Sequence, residues 1–314
     1  MALTNDLQAG RDLAPERAKP EALPVDPKIT VGAGRQVNAA QIVMGLAREL
    51  NTDKIELPGF PDIVARIQRA LADDRTSSKD VVKLVASEPA LAARFVQLAN
   101  SAAFNKSGRE VSDLKSAINT LGYNIVRSQA TAFAMRQMEQ QEWLKPIRPV
   151  LADIWKTSNG VAALSFAVAR HVPGVQPDES MATGLFHLIG KLYLFARARQ
   201  ESINPGEIGD WEKALNEWHM TIARTILDHW KIPVRVAEAV ENQNAIFDAD
   251  SRDLTPLTRI LCAAKLHYRL RKPGAPQEPA AEEALAKIRL NGQPFEAIVA
   301  AAKADMEAAR AAME

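Results

Sequence analysis

Gly184-Leu185-Phe186-His187-Leu188-Ile189-Gly190-Lys191 carries a single histidine among Leu185, Phe186, Leu188 and Ile189, with Leu192 next in line. A segment apolar nearly all round predicts a helix buried on every side. Imidazole and carboxylate on adjacent helical residues would jointly grip a divalent cation and lower the pKa of a bound water, making a nucleophile. Leu188 supplies no lone pair, so half of such a pair is missing.

Outward from this segment, apolar residues recur at three- and four-residue spacing, as in Ile63, Ile67, Ala70 and Leu71, or Val81, Leu84 and Val85. Alternating strand patterns are hard to find, and the expected fold class is all-α, a multi-helix bundle. Start signals agree: Ser78 precedes a helix with Asp80 in its first turn, Glu88-Pro89 opens the next, and Asp113 opens another. Gly122 interrupts the stretch Ile118 to Met138, and Trp143 to Pro149 breaks the periodicity between two helical halves. The C-terminal half is expected to hold helices over about Ile154–His171, Asp178–Arg199, Glu207–Glu217, Thr221–Trp230, Val234–Gln243 and Thr255–Arg271.

Residues 1–36 contain Pro15, Pro20, Pro24 and Pro27 with Gly32 and Gly34 and no apolar periodicity, which reads as a flexible tail. A helical domain is expected over residues 37–272, its N-terminal half at 37–142 and its second half at 150–272. Beyond Pro273-Gly274-Ala275-Pro276, residues 273–314 read as a helical extension, including Phe295 to Met313. No fixed-period repeat suggests a solenoid.

The 314-residue chain is 47% hydrophobic and 25% charged, the profile of a soluble globular protein. Its 39 basic and 38 acidic side chains give a net charge of +1 and no overall pull toward nucleic acid or anionic membrane. No long charge-free apolar run and no secretory leader are seen, so a cytoplasmic address is expected. The single cysteine, Cys262, lies in the run Ile260-Leu261-Cys262-Ala263-Ala264 and reads as a small core residue, not a reactive thiol.

Several stretches together resemble the HDOD family, helical output domains of bacterial signalling proteins related to HD phosphohydrolases. In chain order they are Leu57-Pro58-Gly59-Phe60-Pro61, Glu88-Pro89-Ala90-Leu91-Ala92-Ala93-Arg94, Leu98-Ala99-Asn100-Ser101-Ala102 and Ala117-Ile118-Asn119-Thr120-Leu121-Gly122. The second half adds Ile154-Trp155-Lys156-Thr157-Ser158, Gly184 to Lys191, and Glu217-Trp218-His219 running on to Trp230-Lys231-Ile232-Pro233. The resemblance covers about residues 40–270 and implies an HD-like C-terminal half. It places Thr157 where an active HD hydrolase carries its first histidine, makes His187-Leu188 of the central pair, and sets Gln243 and Asn244 near a later histidine pair. None of these departures supplies a common ligand for a catalytic divalent cation. The family is regarded as non-enzymatic, so the resemblance implies a signalling module with a degenerate site.

Each candidate also has a plainer reading. His187 is expected to be a hydrogen-bonded core histidine, and Gly184 and Gly190 to serve close backbone packing. His219 and His229, with Asp228, are read as surface or capping groups in preference to a metal set of His187, His219 and Asp228. Lys191, one turn from His187, is read as solvated or ion-paired in preference to contacting an anion in the old catalytic cavity. Asn100-Ser101 is assigned a structural role. The helix pair Ser78 to Ser87 and Pro89 to Ala99 has a helix-turn-helix outline, but its second helix has only Arg94 and Gln97 as polar groups, too few to read DNA.

The expected function is a non-enzymatic, cytoplasmic signal-transduction module that binds an unidentified signalling protein. No cofactor or metal, no nucleic acid and no membrane are expected, and the oligomeric state is left open. The alternatives are a divergent HD-type phosphohydrolase and a nucleotide-sensing domain whose cavity binds without cleaving.

Overall fold

A computed structural model of the chain describes residues 39–48, 57–247 and 253–313. The proline-rich stretch read as a tail lies outside the described residues. In the first half, α1 (Ala39–Ala47), α2 (Asp62–Ala72), α3 (Ser78–Ala86), α4 (Pro89–Ala99) and α5 (Leu114–Met138) precede a 3-10 turn, Glu142–Ile147. The second half runs through α6 (Arg148–Ala169), α7 (Pro177–Phe186), α8 (Ile189–Gln200), α9 (Trp211–His229), α10 (Val234–Glu241) and α11 (Pro256–Leu270). It is followed by α12 (Pro279–Lys287), α13 (Phe295–Ala301) and α14 (Lys303–Met313). Among the described residues the fold is all-α apart from one hairpin, and none of their helices is long and apolar enough to cross a membrane.

Local chemistry starts the helices. The cap of α3 is Ser77, one residue before the expected Ser78: its hydroxyl accepts from the Asp80 amide while the Asp80 carboxylate accepts from the Ser77 amide. Asp113 caps α5 through the Ser116 amide at 2.9 Å, and Thr255 caps α11 through the Thr258 amide at 3.1 Å. Pro89, Pro177, Pro256 and Pro279 each occupy the first turn of a helix, where no amide donor is needed. Gly122, with φ 75°, kinks α5 at the expected interruption.

Three element assignments differ from the sequence reading. The expected Asp178–Arg199 helix is two helices, α7 and α8, broken at His187-Leu188. Glu207–Glu217 and Thr221–Trp230 are not separate: α9 runs unbroken from Trp211 to His229, and Glu207 belongs to a short 3-10 turn. Phe295–Met313 divides into α13 and α14 at Ala302. The hairpin pairs β1 (Arg289–Leu290) with β2 (Gln293–Pro294) across Asn291-Gly292, both at positive φ. That dipeptide is a strong hairpin signal, overlooked because strands of two residues show no alternation.

One hydrophobic cluster runs from α1 to α14. Trp230 joins the halves, its ring 6.0 Å from Phe60 and 6.3 Å from Phe186. Arg127 of α5 is the polar rivet at the same junction, donating to the Leu71 carbonyl at 2.6 Å and the Lys231 carbonyl at 3.1 Å. Asn100 clamps the loop after α4, exchanging two hydrogen bonds with the Val111 backbone; the structural reading of that residue fits. Of the polar groups on α4, Arg94 is spent on the Ala312 carbonyl at 2.7 Å, under the C-terminal helix.

Candidate functional site

The break at His187 is built by its neighbours. A Cβ on Gly184 would lie 2.5 Å from Ala162 Cα of α6, and one on Gly190 would lie 1.9 Å from the His219 carbonyl oxygen of α9. Glycine therefore presses α7 against one helix and α8 against another, and the chain must turn between them. His187 assists: its Nδ1 lies 2.6 Å from the Gly184 carbonyl, the acceptor that an uninterrupted helix would offer to the Leu188 amide. His187 is thus the hydrogen-bonded core histidine expected, but at a helix end and not mid-helix.

Around it the structure gathers most of the predicted positions. Gln243 Nε2 donates to the His187 carbonyl and to the Val240 carbonyl, each at 2.9 Å. The Gln243 Oε1 accepts from Lys265 Nζ of α11 at 3.0 Å, and the same amino group donates to Asn244 Oδ1. Asn244 also reaches the Met220 sulfur of α9 at 3.4 Å. Leu188 is partly buried against the core, and Thr157, on α6, is partly buried. Lys191, half-buried, donates to Asn216 Oδ1 at 2.6 Å at the protein surface.

His219 corrects the surface or capping assignment. It is 4% exposed, on the inner face of α9, and its Nδ1 has no hydrogen-bond partner. Asp228 is not part of the cluster; it pairs with Arg224 at 2.7 Å. His171 and His267 serve peripheral ties, to Asp305 at 3.0 Å and Glu296 at 3.1 Å. Cys262 is buried, its thiol 3.4 Å from the Gln243 carbonyl, and burial pushes its pKa up, which suits a core thiol.

The electrostatics follow from burial without a counter-charge. Burial pushes His187 down to about 3, helped by the positive charges of Lys265 and Lys191. Burial pushes His219 down to about 2, with Lys191, Lys265 and His187 adding to the effect. Lys265 is pushed down to about 7, again chiefly by burial, and Lys191 is lowered by burial against an opposing pull from Glu212. Both histidines are therefore neutral at physiological pH.

Lys265 is the residue that the sequence reading missed. The signal was present: Leu261, Cys262, Lys265 and Leu266 share one face of α11, so the lysine interrupts an apolar stripe.

The donor set does not fit the divalent cation of an HD phosphohydrolase. The corresponding positions offer a hydroxyl, one imidazole with Nδ1 engaged, an aliphatic side chain and two amides, with a lysine amino group bonded to both amides. Among the described residues no group of three or more His, Cys, Asp or Glu side chains is placed to hold a metal ion. The cleft of about 630 Å³ between α2 and α3, lined by Arg66, Asp73, Arg75 and Lys83, and that of about 520 Å³ beside α4 and α5, lined by Arg94, Gln129, Arg136 and Trp155, both lie elsewhere.

Comparison with known proteins agrees with this architecture. A protein of Shewanella amazonensis, provisionally named a metal-dependent phosphohydrolase, shares 23% identity at a TM-score of 0.68, over 88% of this chain and 99% of that one. An HDOD domain protein of unknown function from Geobacter sulfurreducens shares 20% identity at a TM-score of 0.54, over 88% and 98%. A second S. amazonensis protein, provisionally named a phosphohydrolase, shares 20% at 0.54, over 86% and 98%. At these identities the likeness is one of fold. No match was found among curated proteins. The profile of the HDOD domain matches residues 57–246, more than half of the chain, and the chain belongs to the HDOD domain family.

Proposed function

We propose that the chain is a non-enzymatic signal-transduction module that works by binding a partner protein, its HD-type site retained as structure. One observation carries the reading: the places of a metal-binding set hold Thr157, Leu188, Gln243 and Asn244, and a basic amino group is tied between the last two. Metal-assisted hydrolysis needs an activated water, and its activation needs a cation held by lone-pair donors. Here the charged neighbours of the two histidines are lysines. A cation entering this cluster would meet the repulsion of Lys191 and Lys265, offset only in part by Glu212, which acts on Lys191.

With catalysis set aside, what remains is a rigid helical body whose surface is available for recognition. The test uses the purified chain with Mn²⁺, Fe²⁺, Ni²⁺ or Zn²⁺ added separately, assayed on bis(p-nitrophenyl) phosphate and on nucleotides. Turnover at the protein-free background is expected. Saturable turnover that disappears in His187→Ala would overturn the reading in favour of a divergent hydrolase.

A further inference from the structure

We infer that the Lys265 side chain replaces the divalent cation of this site, both as the tie that holds the surrounding segments together and as the group that keeps a metal out. Its amino group donates to Gln243 Oε1 at 3.0 Å and to Asn244 Oδ1, the two residues that align nearest to a later ligand pair. Gln243 passes the tie onward through its Nε2 to the His187 carbonyl at 2.9 Å, at the α7–α8 break. Lys265, Gln243 and His187 thus connect α11, the end of α10 and the α7–α8 turn. Where the resemblance sets a histidine pair with its ring nitrogens on a metal, two amide oxygens here meet the N–H donors of Lys265.

The charges facing Lys265 suit this replacement. His187 stands at the end of α7, His219 on α9 and Lys191 on α8, while Cys262 and Arg269 share its own helix. No carboxylate is among them. A divalent ion would have to displace the amino group from two amide oxygens and then sit beside Lys191. The lysine also explains why Gln and Asn suffice at 243 and 244: a hydrogen-bond donor asks for neutral acceptors, where a metal asks for anionic or imidazole ligands. The tie survives loss of the ammonium charge, because a neutral amine still donates.

This inference deepens the non-catalytic reading and rests on it for its meaning. The experiment below reads metal content and unfolding, so its failure is separable from the discovery of turnover or of a partner. Wild type, Lys265→Met, Lys265→Glu and His187→Ala/Lys265→Glu are melted with and without Mn²⁺, Ni²⁺ or Zn²⁺, and bound metal is measured after desalting. Wild type is expected to retain no stoichiometric metal and to show no metal-dependent shift. Lys265→Met, which orphans two amide oxygens, is expected to melt below wild type. Lys265→Glu is expected to gain a saturable rise of about 5 °C with at least one of the ions, lost in the double variant. Should Lys265→Glu fail to fold, Lys265→His serves the same arm. One metal ion per wild-type chain, a Lys265→Met protein as stable as wild type, or no metal-dependent shift in either ligand-restoring variant would each overturn the inference.

Discussion

Two buried polar clusters in this molecule solve the same problem in opposite ways. At the junction of the halves, Arg127 spends its guanidinium on the Leu71 and Lys231 carbonyls, and the buried Glu179 is bound by Arg235 with two hydrogen bonds. In the cluster around His187, the groups His187, His219, Lys191 and Lys265 influence one another as like charges, against opposing influences from Glu212 on Lys191 and Cys262 on Lys265. Arg127 keeps its charge although burial lowers its pKa, because a guanidinium starts near 12.5; the histidines start at 6.5 and do not. Desolvation penalises only the ionised form, so the base with the lower ordinary pKa sheds its proton first.

The comparison can be broken most severely at Gly190. Its Cβ position falls 1.9 Å from the His219 carbonyl, a backbone atom that cannot swing away. Gly190→Val is expected to cost more than about 3 kcal/mol, read by urea unfolding; a loss under about 1 kcal/mol would mean that α8 and α9 can part without consequence.

Acid separates the two clusters next. The folded-state pKa values of His187 and His219 lie at about 3 and about 2, below the ordinary 6.5, so the unfolded chain binds more protons as pH falls below 6.5. Each histidine should then remove about 1.4 kcal/mol of stability per pH unit between about 6 and 4, and His219→Gln should lower that slope. Lys265 has the same sign in another window: its pKa is pushed from 10.5 to about 7, so stability should climb as pH rises between those values. Stability that is flat from pH 6 to 4 would show that the histidines are not buried as neutral bases.

Arg127 tests the opposite case. Arg127→Met leaves two carbonyls at the junction without their donor, an expected loss of roughly 2–4 kcal/mol with little change in the acid-limb slope. An altered slope would mean that the two clusters are coupled. The smallest effect is expected at Asn100, whose two hydrogen bonds to Val111 are solvent-accessible. Asn100→Ala should cost about 1 kcal/mol and speed proteolytic cleavage within residues 101–112, leaving the remainder of the digest unchanged.

The sequence was legible where local chemistry decides. Capping side chains, a first-turn proline and the Gly122 kink announced α3, α4 and α5, since each acts within four residues. It was misleading where packing decides. Besides the His187–Gly184 hydrogen bond, the break in the apolar run comes from Gly184 meeting α6 and Gly190 meeting α9, contacts that no window of sequence contains. His219 was assigned a surface or capping role when weighed by spacing with His229 and Asp228, while its side chain turns inward on α9.

By itself the sequence determined the helical class, the family and the absence of a carboxylate beside His187, because these depend on residue identity and spacing along the chain. Only the tertiary structure decided that Lys265 joins Gln243 and Asn244 and that His187 and His219 are neutral. Those properties depend on burial and on which charges face each other across helices far apart in sequence, and a protonation state is set by its surroundings in three dimensions.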